Sequence, residues 1–339
     1  IRAMKSAAVV ALLSAANVRA ADYTWTGGGD GVTWSDEANW EGGNVFVSST
    51  GNRLIFQNPV ADAVISIPGN MSVNSIKFAS GCRAMTLAGA SDARITNIYK
   101  GGSLTDETMD ANASIFVETT EPIRMDVIQM MAGERAVGLA QGAHLEILKP
   151  IVDNADKKGR VSFRTLGESK NSYLKIDYDP ASADFALDPV EGSFLFRFVG
   201  GTNELSAALA ATTQETPKPI VCKNIGLLKL NAGAYPREFT LDGTDCTLRA
   251  EGSVALGRVS QTKSGGDYTF DLAENVRVDF MGAVVLYGVS LAHRVPVSSS
   301  IHYHGRVKCA QFYDGYSEPE AGHRGGFIHL HAPVESSIF

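Results

Sequence analysis

Cysteine pairs, basic clusters and long apolar runs are all scarce in this chain of 339 residues. Each shortage removes a class of explanation. Four cysteines, Cys82, Cys222, Cys246 and Cys309, are too few for a disulfide framework to replace a core, so a large buried interior must carry stability. Cys222 with Cys246 is a conceivable bridge, and buried, inert thiols are the plainer reading. No CxxC occurs. The net charge is −7, and the longest basic run is Lys157-Lys158. A phosphate backbone rewards clustered Lys and Arg, so nucleic acid is not an expected partner. No segment has the ~20 apolar residues of a membrane-spanning helix. Gly27 to Gly29 lack the Lys-Ser/Thr and the helix that a phosphate-cradling loop requires.

The start of the sequence is where charge and hydropathy are patterned. Lys5 follows Met4, Ala7 to Ala16 is apolar, and Val18-Arg19-Ala20 offers small residues at a cleavage position. This reads as a secretory signal peptide over residues 1–20, cut near Ala20, and the expected location is secreted or cell-surface. Losing it removes Arg2, Lys5 and Arg19 but no acid, which leaves the remainder more acidic still. At the other end, the residues before Phe339 lack the alternation of an outer-membrane barrel strand.

From about Asn52 onward, short stretches alternate apolar and polar residues between Gly, Asn, Asp, Ser or Pro. Examples are RLIF at Arg53 to Phe56, SIKF with Ile76 and Phe78, HLEI with Leu145 and Ile147, and YLKI with Leu174 and Ile176. Period-two alternation predicts half-buried strands. Asn203 is a candidate N-cap for one short helix over NELSAALAAT. The run from Asp126 to Ala140 has mixed periodicity and reads as strand at its ends. Evenly spaced short strands over some 300 residues, without a linker, fit a solenoid better than a sandwich array, because each coil needs only its neighbours.

Tryptophan is the most unevenly used residue: Trp25, Trp34 and Trp40 all fall in TWTGGGDGVTWSDEANW. That segment, followed by NRLIFQ and VNSIKFASGCRAMTLAG, resembles the opening of exported bacterial proteins with autotransporter-associated β-strand repeats. The likeness is specific over Tyr23 to Ile98, looser to about Phe280 and absent beyond. It departs from the usual Gly-x-Gly-x-Leu pattern at Leu166-Gly167-Glu168-Ser169, which supplies one glycine. The resemblance implies an all-β, right-handed parallel β-helix, export and a surface or passenger role, and no catalytic residue. A coil stack has open ends, and three indoles at the first coil are suited to cap one, each ring burying ~150–250 Å². The competing reading is a glycan-binding platform of exposed Trp25, Trp34 and Trp40. The expected division is signal peptide 1–20, cap 21–50, β-helix 51–290 and His-rich strands 291–339.

Chemistry is sparse. Asp177, Asp179, Asp184 and Asp188 fit no calcium-loop spacing and read as a solvated turn. The motifs expected of a polysaccharide lyase or hydrolase of this fold are missing, though distant acids can meet in a coil. Of seven histidines, five lie near the end: His302, His304, His323, His329 and His331. A His-x-His pair on a strand places both rings on one face, so His302, His304, His329 and His331 are candidate ligands for zinc or copper, with Cys309, Asp314 and Glu320 in support. Surface histidines on an amphipathic strand are the alternative, and no cofactor is otherwise expected. The functional expectation is an adhesin-like surface scaffold with extracellular polysaccharide as partner, with a polysaccharide-active enzyme or a metal-binding module as alternatives.

Overall fold

The computed structural model describes residues 21–90, 92–97, 105, 107–131, 134–153, 160–168, 171–177, 195–206, 219–242, 246–262, 266–314 and 326–335. The alternating stretches are strands, and burial follows the alternation: in Arg53–Phe56, Leu54 and Phe56 are buried while their neighbours are half-exposed. The strands pair in parallel with strands one coil away, Arg53 with Ser75 and Val284 with Val307. The product is a β-solenoid, nearly all parallel sheet and almost without helix. Such pairing rules out the sandwich array, whose sheets are antiparallel.

A 13-stranded sheet runs from Asp22–Trp25 to Val334–Glu335, and an 11-stranded sheet runs from Ala63–Ser66 to Gln311–Asp314. A 4-stranded sheet pairs Met71–Val73, Arg94–Asn97, Ile128–Met131 and Ile151–Asp153, and a 5-stranded sheet links Gly233–Tyr235 through to Phe327–Leu330 in the later coils. The only isolated bridge among the described residues is antiparallel, between Trp25 and Trp40.

Because the pairing is parallel and in register, equivalent side chains line up from coil to coil. Ile65, Leu87, Met125, Ile147, Ile176, Leu205, Leu230, Ala250 and Leu272 form one unbroken inward column, all buried. Aromatic steps in other columns stack nearly parallel: Phe56 on Phe78 at 5.1 Å, Phe163 on Phe198 at 5.1 Å and Phe280 on Tyr303 at 4.8 Å between ring centres. These spacings are close to the strand separation of ~4.8 Å that sets the coil rise.

Several expectations change. Asn203 caps no helix: it lies in the strand Thr202–Leu205, faces inward at 3 % exposure, and its Nδ2 donates to the Gly200 carbonyl at 3.1 Å. Tertiary pairing with Leu174 and Leu228 overrides the local cap signal there, and 207–212 lie outside the described residues. The run from Asp126 contributes the strands Ile128–Met131 and Glu134–Leu139, as its ends predict. Cys222 and Cys246 are not bridged; none of the four cysteines is in a disulfide, all four are buried, and burial pushes the Cys82 thiol up to about 11. Within the 21–50 segment, Asp22–Trp25 is the first strand of the long sheet. The boundary at 290/291 falls inside the strand Ser290–Arg294, and three sheets run past it. Among the described residues no helix is long and apolar enough to cross a membrane.

Candidate functional site

At the N-terminal end, the three indoles come together as a lid on the first coil. Trp25 is fully buried, Trp40 is 2 % exposed and Trp34 is 7 % exposed. Trp40 meets Trp25 edge-to-face at 5.1 Å and Trp34 at 4.9 Å; Trp34 also packs edge-to-face on Phe46 at 6.1 Å. Trp25 in turn lies 6.4 Å from Phe56, the first ring of the inward aromatic stack. Buried to this degree, Trp25, Trp34 and Trp40 have the arrangement of a packed cap rather than of an exposed glycan platform. Beside the lid, Val32, Thr33, Trp34, Ser35, Val64, Ser66 and Pro68 line a shallow surface depression.

The polar hub of this lid is a residue that sequence reasoning missed. Asn39, fully buried, accepts the backbone N–H of Gly29 and of Gly31 at 2.9 Å each, and donates to Asp30 at 2.8 Å and to the Thr33 carbonyl at 3.0 Å. Its own carbonyl accepts Thr26 and Gly27 N–H. Gly27 and Gly31 take positive φ of 63° and 73°, the left-handed region where glycine is favoured. The Asn-Trp pair at the segment's end was the available signal.

Along the outer face of the 11-stranded sheet, one register position carries a ladder of charge: Arg124, Glu146, Lys175, Glu204, Lys229, Arg249, Asp271 and Arg294 in successive coils. Arg124 pairs with Glu146 at 3.3 Å, Lys175 with Glu204 at 3.6 Å and Arg249 with Asp271 at 2.9 Å. Burial works against the Glu204 charge, but the Tyr173 hydroxyl, the Asn231 amide and two lysines outweigh it and hold the carboxyl below its ordinary range. A second ionic group joins coils on the 13-stranded face, where Lys77 meets Asp110 at 3.0 Å and Glu118 at 3.2 Å, and Arg53 also contacts Asp110. Asp177 pairs with Lys175 at 3.1 Å; Asp179, Asp184 and Asp188 lie outside the described residues.

The histidines meet on the outer face of the 5-stranded sheet. His302 on Ser300–Tyr303 pairs in register with His329 on Phe327–Leu330, and their rings stack at 4.3 Å and 11°. His304 stacks on His331 at 4.7 Å and 3°. The four imidazoles therefore form a two-by-two array. Across its diagonal, Nδ1 of His302 lies 3.4 Å from Nε2 of His331. The other nitrogen of His302 contacts Ser300 Oγ at 3.1 Å, and Nε2 of His304 contacts Asp279 Oδ1 at 2.9 Å. Asp279, chelated by Arg277 through two 2.7 Å contacts, is held at about 2 by that partner, with His304 assisting. Burial, then Arg277 and His329, keep His302 below its ordinary value, which favours the neutral ring. Stacked rings send their nitrogen lone pairs out in parallel planes; among the described residues no three His, Cys, Asp or Glu side chains surround one point. Of the expected helpers, Cys309 is buried, while Glu320 and the Asp314 side chain lie outside the described residues, as does His323.

No family model, curated protein or solved structure matches this chain.

Proposed function

We propose that the chain is an exported structural scaffold of the cell surface, adhesin-like in role, with extracellular polysaccharide as its partner. The observation that carries this reading is the unbroken coil stack, whose inward columns continue from the indole lid to the last described coils. Charged groups on its faces pair with one another: the ladder from Arg124 to Asp271 and the Lys77 group tie coil to coil. A stiff rod with repeating rows of polar groups suits adhesion along an extended polymer, whose repeats meet equivalent positions on successive coils. The residue 1–20 pattern supplies the export signal. The depression beside the lid, with Val32 and Val64 about half exposed and Thr33, Ser35 and Ser66 beside them, offers a sugar ring apolar and hydroxyl contacts together.

The test has two arms. Expression of the full chain in a bacterial host should give extracytoplasmic protein whose N-terminus, read by mass spectrometry, lies near Ala21. The purified protein should then be retained on immobilised surface polysaccharide, with retention reduced by Val64→Glu. Unprocessed protein confined to the cytoplasm overturns the export reading; absence of retention on any polysaccharide tested overturns the partner.

A further inference from the structure

The diagonal of the histidine array has the bite of a metal chelate. Two imidazole nitrogens, each ~2.0–2.1 Å from a tetrahedral ion, sit ~3.3–3.4 Å apart. Nδ1 of His302 and Nε2 of His331 are 3.4 Å apart, longer than an ordinary N–H···O or N–H···N contact and matched to that bite. We infer that this pair, seated on two adjacent coils, binds a late first-row divalent ion, Zn²⁺ or Cu²⁺, at the surface of the rod.

Three further observations support the assignment. Metal-bound histidine is commonly fixed by a second contact through its other nitrogen. His302 has one: its Nε2 is engaged by Ser300 Oγ at 3.1 Å, which leaves Nδ1, 3.4 Å from Nε2 of His331, as the nitrogen available to an ion. His304 has one as well: its Nε2 is engaged by Asp279 Oδ1 at 2.9 Å, and Asp279 is itself fixed by Arg277. Finally, His329 and His304 lie one strand-width from the bite, at ring distances of 4.3 Å from His302 and 4.7 Å from His331. The His302 and His331 rings lie within 10° of parallel, so rotation about their Cβ–Cγ bonds is what brings both lone pairs onto the ion; the same rotation turns His329 or His304 out of its stack to supply a third nitrogen, and solvent fills the remaining positions. An all-imidazole set selects zinc or copper over magnesium or calcium, which take oxygen ligands. The strands come from different coils, so the ion clamps the last described strand of this sheet to the one before it. This site does not depend on the adhesive role proposed above.

The experiment is calorimetric titration of the full chain with ZnCl₂, CuCl₂ and, as control, MgCl₂. One equivalent of zinc or copper should bind, and magnesium should not. His302→Ala and His331→Ala should each weaken binding tenfold or more. His144→Ala, at a histidine paired with Glu146 on another sheet, should leave it unchanged. Ser300→Ala should cost less than either ligand. Copper loaded on the wild-type chain should show hyperfine coupling to at least two nitrogens in its electron paramagnetic resonance spectrum, a readout that needs no variant to fold. No binding at stoichiometric ion, equal binding in the His302 and His331 variants with unchanged thermal melts, or a copper spectrum without nitrogen coupling overturns the assignment.

Discussion

Asn39 grips Asp30 inside the lid: its Nδ2 donates to Oδ1 of Asp30 at 2.8 Å, while the same carboxylate caps the backbone of Val32 and Thr33. The Thr33 hydroxyl and N–H, then Val32 and Asn39, hold the Asp30 carboxyl well below the usual range. Asn39 thereby closes the loop between two glycines and ties it to the first coil. Asn39→Ala leaves buried donors and acceptors without partners, at ~1–3 kcal/mol for each group that water cannot reach. Asn39→Asp is expected to be worse at neutral pH, because it sets a second carboxylate against Asp30. All three tryptophans sit in this lid, so fluorescence reports the lid and far-ultraviolet circular dichroism reports the coils. In both variants the fluorescence transition in urea should move to lower denaturant, ahead of the dichroism transition. Coincident, unshifted transitions would show that Asn39 does not hold the lid.

The indoles differ in what they ask of their surroundings. Trp40 Nε1 donates to the Trp34 carbonyl at 2.7 Å, whereas Trp25 Nε1 is buried with no partner. Trp25→Phe removes that orphaned N–H and keeps an aromatic ring above Phe56, while Trp40→Phe strands a buried carbonyl. Thermal unfolding should therefore find Trp25→Phe milder than Trp40→Phe by about 1 kcal/mol. Trp25→Ala opens a cavity at the coil end and should cost on the order of 3–5 kcal/mol. The reverse order for the two Phe variants would contradict the hydrogen bond assigned to Trp40.

The strands were legible because inward columns impose period two on every coil: Leu54 with Phe56, Leu145 with Ile147 and Leu174 with Ile176 all read correctly. The lid was legible for a similar reason, since three indoles and two turn-forming glycines within one segment have few other uses. Asn203 misled because a cap signal is local, whereas its place between Leu174 and Leu228 is set by register with coils distant in sequence. Asn39 was missed because its importance is a set of hydrogen bonds: the Asn-Trp pair marks its place, but one asparagine leaves no periodic trace. The His-x-His pairs could be found by eye, but their offset could not. The register that pairs His302 with His329 fixes which ring stacks and which lies on the diagonal. A further repeat, Gly257-Arg258-Val259, Gly282-Ala283-Val284 and Gly305-Arg306-Val307, marks the same corner of successive coils and becomes readable once the valines are seen in register.

Glu204 links the charge ladder to pH. Tyr173 donates to its Oε2 at 2.6 Å and Asn231 to its Oε1 at 3.3 Å, contacts that favour the ionised form. Its carboxyl is held below the ordinary 4.5, so its contribution to stability is complete above the unfolded-state value. That contribution is lost as pH falls through the lower folded-state value. Urea midpoints of the wild-type chain and Glu204→Gln should differ by a constant amount from pH 7 to pH 5, and the gap should narrow below about pH 4.5. Tyr173→Phe should move the Glu204 titration, followed by carboxyl ¹³C resonance, back towards the ordinary value. A gap that stays constant down to pH 2 would remove Glu204 from the linkage.

The glycine corner gives the sharpest test of the coil register. A Cβ on Gly282 would lie 2.7 Å from Arg258 N and 2.8 Å from Gly257 C, and one on Gly305 would lie 2.4 Å from the Gly282 carbonyl oxygen. Both obstacles are backbone of the preceding coil, which cannot swing aside as a side chain does. Gly282→Ala must therefore push two coils apart, an overpacking expected to cost ~1–3 kcal/mol. Gly81 is the internal control: its Cβ would meet nothing within 4 Å and its φ is not positive. Gly81→Ala should be neutral or stabilising by up to ~1 kcal/mol through the unfolded chain. Thermal melts of the two variants side by side decide the matter. If Gly282→Ala is as benign as Gly81→Ala, the coils do not touch at this corner, and the register that aligns Val259, Val284 and Val307 is wrong.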